Sequence, residues 1–404
     1  MPGGSSALTA TAHSTKANGL LVLAGAMVLT LTIGSVHAFS VFLAPMEEAF
    51  SASRAEVSLT YSLALVSLTL AVLAGHRVFG LLKPALFALA SCALAALGCL
   101  VASWSSTLWG VWLGYSLLFG TANGFGYGYA LQISAQAMPD RKALAMGVTT
   151  AAYALGAAVF PGLLTNAQAG SGLSGALQML ATVLAAAGLA SAGLLHLARA
   201  RFEVADHAEP GADATRAPRV LVHLWIAYGA GVSAGLMVIG HAAGLATAAG
   251  ASKPLVVWAP ILVAIGNMTG GVLAGWLTDR VSTRTVLTGL PLLSLAGLLA
   301  LLMVTGAGAT LAALALIGFA YGAIIAVYPA VISYLFGTLR GIKAYGRVFT
   351  AWGTAGLIFP WLAGYLFDLS QSYTAVLTVA AIISALSAFG AYRLPEASAE
   401  RERR

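Results

Sequence analysis

The side chains able to do chemistry inside the apolar parts of this chain are few: His37, His241 and Arg347, the last only two residues into an apolar run. A neutral imidazole is cheap to bury yet binds a proton near neutral pH. His37 and His241 are therefore candidates for proton coupling, and His37 also for direct contact with a ligand. A buried charge costs on the order of 3 kcal/mol even on the lenient insertion scale, so Arg347 either meets an anion or reaches out to lipid headgroups. Asn123, Tyr127, Gln132, Tyr153, Asn267, Tyr321, Tyr328 and Trp352 add amides, phenols and an indole within apolar runs. Such groups hold a small molecule by hydrogen bonds, or join one helix to another at about 1 kcal/mol each. That is the chemistry of binding rather than of bond making. No Ser/His/Asp, metal-ligand or phosphate-loop spacing occurs, and the glycines of 120–128 lie within an apolar run rather than after a strand. No enzyme activity, cofactor or metal is expected.

Positioning those groups requires membrane helices. Hydrophobic residues make up 59% of the 404 positions and charged ones 8%, against roughly 25% charged in a soluble domain. Twelve runs are long enough to cross a bilayer, near 20–43, 57–75, 84–104, 108–137, 143–164, 175–198, 220–244, 254–277, 286–305, 311–336, 345–367 and 373–392. They are continuous rather than alternating, so helices are predicted and a barrel is not. Placing both termini in the cytoplasm leaves only Arg54 and Lys253, of 20 Lys and Arg residues, on the outer side. The net charge of +7 is thus a matter of topology, and a nucleic-acid partner is excluded. The expected partners are the lipid bilayer and a small molecule, with the chain a monomer in the plasma (bacterial inner) membrane. Cys92 and Cys99 stand two helical turns apart in one run, roughly 10 Å, beyond disulfide reach.

The chain also repeats itself. Gly147, Ala152-Tyr153 and Phe160-Pro161 return as Gly346, Ala351-Trp352 and Phe359-Pro360, and Ala74-Gly75 returns as Ala274-Gly275. A period of half the length reads as a duplicated domain, and in an apolar chain as two similar bundles around a midplane site. The expected division is a tail over 1–18, a six-helix bundle over 19–198, a linker over 199–219, a second bundle over 220–393 and a tail over 394–404. The linker mixes Arg199, Arg201, Arg216 and Arg219 with Glu203, Asp206, Glu209 and Asp213, as a solvated tether does.

At Gly275, Asp279, Arg280 and Arg284 the turn resembles the loop signature of the major facilitator superfamily, Gly-x-x-x-Asp-Arg followed by a base. The resemblance implies twelve transmembrane helices in two pseudo-symmetric six-helix bundles and a cytoplasmic gate formed by Asp279, Arg280, Arg284 and Arg77. In the first half Phe79 stands where the repeat would put the acid. Residues 321–373 are similar to the oxalate/formate antiporter and monocarboxylate transporter branch at Pro329, Phe336-Gly337, Tyr345-Gly346, Phe349, Trp352-Gly353, Pro360 and Ser372-Tyr373. This implies a secondary transporter for a small organic anion, a monocarboxylate or dicarboxylate. The antiporter's carboxylate-binding lysine and arginine correspond here to Trp352 and Gly271. An uncharged aromatic site also fits an exporter of amphiphilic or aromatic molecules, and both exchange and proton symport remain open.

Overall fold

The computed structural model describes residues 4–52, 54–203, 217–239, 241–256, 258–304, 306–370 and 372–394. Much of the expected linker and nearly all of the C-terminal tail lie outside them. Long helices dominate: α1 Gly4–Ile33, α2 Arg54–Val78, α3 Pro84–Ser103, α4 108–137, α5 142–171, α6 173–197, α7 Ala217–Ile239, α8 Trp258–Thr278, α9 Thr283–Met303, α10 Ala307–Phe336, α11 Thr338–Ser370 and α12 Thr374–Tyr392. By length and composition alone, nine helices among the described residues can cross a membrane. Three circumstances account for the difference from twelve. Helices α5 and α6 are continuous as Lys142–Leu197, α4 contains a π-helical stretch at Trp112–Phe119, and the uncharged part of α11 after Arg347 is diluted by glycine, threonine, tryptophan and proline.

The sequence placed a gap between runs five and six, yet the chain reverses there on one residue. Gly172 has φ 69°, a left-handed conformation open to glycine at no steric cost. Hydrogen bonds record the reversal. Thr30 Oγ1 donates to the Thr149 carbonyl (3.0 Å), Gln168 Nε2 to Val41 (3.1 Å) and Ser191 Oγ to Gly25 (2.8 Å). The chain therefore climbs beside α1 and then descends beside it. The opening segment differs too, because helix already begins at Gly4 inside the expected tail, and the run ends in a tighter 3-10 stretch, Gly34–Phe42.

Leu20, Leu70, Trp109, Leu189, Met303 and Leu386 are among the large apolar side chains pointing outward. An outer belt of this kind suits hydrocarbon and not water. The two halves meet through α2, α4 and α5 of the first and α8, α10 and α11 of the second. Their tightest approach uses the glycines of the repeat. A Cβ on Gly147 would lie 3.2 Å from Gly275 Cα, and one on Gly346 would lie 2.8 Å from the Val72 carbonyl oxygen. Side chains at these seams would hold the halves apart, so small residues are required for closure. Both seams lie toward the end of the molecule that carries Asp279, and at that end the halves are closed.

Candidate functional site

A cavity of about 400 Å³ lies between the halves and takes its walls from both. His37, Tyr61, Tyr127, Thr150 and Tyr153 come from the first half; Asn267, Tyr321, Phe349 and Trp352 come from the second. Aliphatic side chains such as Leu65, Leu236 and Ile325 complete it. Of the ten residues expected to bind a ligand, His37, Tyr127, Tyr153, Asn267, Tyr321 and Trp352 are brought together here.

His37 sits in the 3-10 stretch that follows α1, and its Nδ1 is 2.6 Å from the Tyr61 hydroxyl on α2. That contact leaves Nε2 for another partner. The imidazole is edge-on to Tyr153 at 5.3 Å and to Trp352, from the opposite half, at 6.5 Å. Both aromatics are anchored in the same manner. Tyr153 on α5 donates to Asn123 Oδ1 on α4 (2.8 Å), and Trp352 Nε1 on α11 donates to the Tyr321 hydroxyl on α10 (3.0 Å). These are the two residues paired by the sequence repeat. Because Tyr321 accepts from the indole, its own O–H is free to donate into the cavity. Phe349 stacks on Trp352 at 5.2 Å and covers one face of the ring.

Four expected binding residues stand elsewhere. Asn123 is buried behind Tyr153, where it accepts from the phenol and donates to the Ile33 carbonyl at the end of α1. Helical bonding changes at that carbonyl, so the amide satisfies an acceptor that the break frees. Gln132 and Tyr328 are buried nearer the closed end, and Arg347 lies on the exposed face of α11. Arg347 does not line the cavity in this conformation; of its two expected roles, its exposure fits the one in which it reaches outward. His241 also misses the cavity. It precedes the short helix Ala242–Ala248 and packs against Tyr373 at 5.8 Å. A groove of about 690 Å³ beside it is lined by the second half alone, so rocking of the halves would leave it unchanged. Sequence reasoning missed Tyr61, whose only signal is a phenol in an otherwise apolar run.

At the closed end Asp279 joins the halves. Its carboxylate accepts from the backbone N–H groups of Ala143 (3.2 Å) and Leu144 (3.0 Å) at the start of α5, and from the Tyr334 hydroxyl (2.5 Å). A carboxylate at a helix N-terminus is held by unpaired N–H groups and by the helix dipole. Lys142 Nζ lies 4.1 Å above the Tyr334 ring, a second link across the seam. The bases expected beside Asp279 point elsewhere. Arg280 packs over Trp276 and donates to its carbonyl, Arg284 donates to the Leu394 carbonyl and covers Tyr392, and Arg77 is exposed. Phe79, at the acid's place in the first half, is buried among Phe87, Tyr129 and Phe202. The latch is thus polar in one half and aromatic in the other.

Comparison with known proteins agrees with this architecture. Residues 224–404 match the family profile of the Major Facilitator Superfamily. The MFS-type transporter YhjX of Escherichia coli K12 is 28% identical over 83% of this chain and 85% of its own length. Monocarboxylate transporter 13 of Rattus norvegicus is 27% identical, with 89% and 85% covered. The oxalate:formate antiporter of Oxalobacter formigenes is 25% identical, with 64% and 66% covered. Among solved structures, the proton:xylose symporter XylE superposes with a TM-score of 0.75 at 12% identity, covering 94% of this chain and 96% of the other. Such a likeness speaks to the fold.

Proposed function

Starting from a chain that is a major facilitator superfamily transporter, with membrane-spanning halves and not an enzyme's active site, we propose that its cargo is a small organic anion carrying a carboxylate. The observation that carries this reading is the set of neutral donors converging on one cavity: the Tyr321 O–H, the Nε2 side of His37 and the Asn267 amide. Hydrogen bonds to a charged acceptor contribute about 1.5–3 kcal/mol each. A second carboxylate on the cargo would lack a counter-charge there, so one negative charge is favoured over two. Two relatives, named as a monocarboxylate transporter and an oxalate:formate antiporter, support the class.

The halves, taken as 19–198 and 220–393, rock about the cavity. His37 is the group positioned to take up a proton if transport is proton-coupled; anion exchange needs no such step. The distribution of Lys and Arg favours a plasma-membrane orientation with both termini cytoplasmic, which makes the Asp279 end the inner gate. The chain works as a monomer, since each site is complete within one copy.

An uncharged, aromatic cavity favours a second reading, export of neutral aromatic compounds. Thermal stabilisation of purified protein separates the two. Formate, lactate, oxalate and neutral benzamide are each tested against wild type and His37→Ala. At a hundred times its dissociation constant a ligand adds about 2.7 kcal/mol. A monocarboxylate should raise the melting temperature of wild type and not of His37→Ala. Stabilisation by benzamide alone would end the anion reading.

A further inference from the structure

Directly beneath the cavity, toward the closed end, lies a layer of buried polar groups, most of them without hydrogen-bond partners. On α11, Tyr345 is one turn below the cavity residue Phe349, and on α10 Tyr328 is one turn below Ile325. On α4, Gln132 lies five residues past Tyr127, and on α7 Tyr228 lies about two turns below Leu236. At 1.5 Å of rise per residue these offsets span roughly 5–12 Å. All four side chains are at most 2% exposed. Among the described residues, neither amide atom of Gln132 nor the hydroxyls of Tyr228 and Tyr328 has a partner, while the Tyr345 hydroxyl meets that of the cavity residue Tyr127. The rings of Tyr228 and Tyr328 are 4.6 Å apart, and Tyr345 is within electrostatic reach of Tyr127 and Tyr228. The three tyrosines of the second half thus form one group, which joins the first half through Tyr127, and Gln132 stands at a similar depth on α4.

Unpaired buried polar groups are rare, and three residues carrying them at one depth call for a use. A phenylalanine at Tyr228 or Tyr328 would keep the packing and remove the unsatisfied hydroxyl. The layer also lies on the line that a molecule in the cavity would follow once the Asp279 end opened. We infer that Gln132, Tyr228, Tyr328 and Tyr345 form an inner subsite, which receives the hydrogen-bond-accepting end of the cargo as the halves open toward Asp279. Phenol O–H groups and an amide N–H are donors matched to a carboxylate or another oxygen acceptor. This subsite rests on the transport reading above and extends it, since it would distinguish the two faces of the transporter.

The test uses sided uptake in oriented proteoliposomes of the full chain, with labelled formate as the probe. Tyr228→Phe and Tyr345→Phe should raise the half-saturation concentration measured from the Asp279 side at least fivefold, leave that from the opposite side within twofold, and not lower the melting temperature. Gln132→Leu, which alters no tyrosine, should repeat the sided change. No change on either side would overturn the inference. An equal rise on both sides would also overturn it, because the groups would then belong to the cavity. If wild type carries benzamide and no formate, the carboxylate reading falls, and the same sided comparison with benzamide decides the subsite.

Discussion

Asn123 illustrates how one side chain shapes a site that it does not line. It links the phenol of Tyr153 to the carbonyl of Ile33, four residues before His37, so two of the first-half groups that line the cavity share one support. Asn123→Ala would leave a buried hydroxyl and a buried carbonyl unpaired, at about 1–3 kcal/mol for each. We expect a lower melting temperature and weaker binding of any cavity ligand. An unchanged melting curve would show that neither bond matters to stability. Tyr321→Phe should be milder in stability, since it leaves one buried group unpaired, the Trp352 N–H, rather than two, and severe in binding, because it removes a hydroxyl at the cavity wall. Measuring affinity beside the melting temperature for both variants separates support from contact.

Among elements, the junction of α5 and α8 joins the two halves at one end of the molecule. Glycines permit the helices to touch, and Asp279 then reaches the N–H groups at the start of α5. In the first half the equivalent place is occupied by Phe79, packed within its own bundle, so the seam between α2 and α11 has no such carboxylate. Removing a latch of about 1.4 kcal/mol shifts a two-state population tenfold. Asp279→Ala should therefore speed modification, from the Asp279 side, of a cysteine placed at Leu68 by about tenfold, and Gly275→Val should act likewise by wedging the seam. The two native cysteines are buried, which keeps the background low. Equal labelling rates with and without Asp279 would remove the carboxylate from the gate.

At the scale of the whole molecule, the repeat and the charge distribution act together. Two bundles of similar design enclose a cavity to which each contributes half of the wall, and in the proposed cycle tilting one against the other would expose that cavity to alternate sides. The orientation is open to a direct check. Ser106→Cys, between α3 and α4, should react with an impermeant thiol reagent added to intact cells. Lys343→Cys, at the start of α11, should react only after the membrane is breached. The reverse pattern would invert the topology and make the Asp279 end the outer gate.

The length of the hydrophobic runs and their lack of alternation determined that this is a helical membrane protein, because a continuous apolar run satisfies its backbone in hydrocarbon as a helix, whereas a barrel strand alternates. The internal repeat likewise determined the two-bundle plan and singled out Tyr153 and Trp352, since duplicated residues take equivalent places. Rotation about a helix axis, by contrast, is invisible in a run that is apolar on every side. That is why His37 and His241 looked alike in sequence, yet one faces the cavity and the other packs on Tyr373. The two alternatives for Arg347 stayed open in the sequence for the same reason. Only the tertiary structure could bring Tyr61 to His37, turn Arg280 and Arg284 away from Asp279, and set Lys142 and Tyr334 beside the seam. Those partners lie on different helices, and their meeting depends on how the bundles pack.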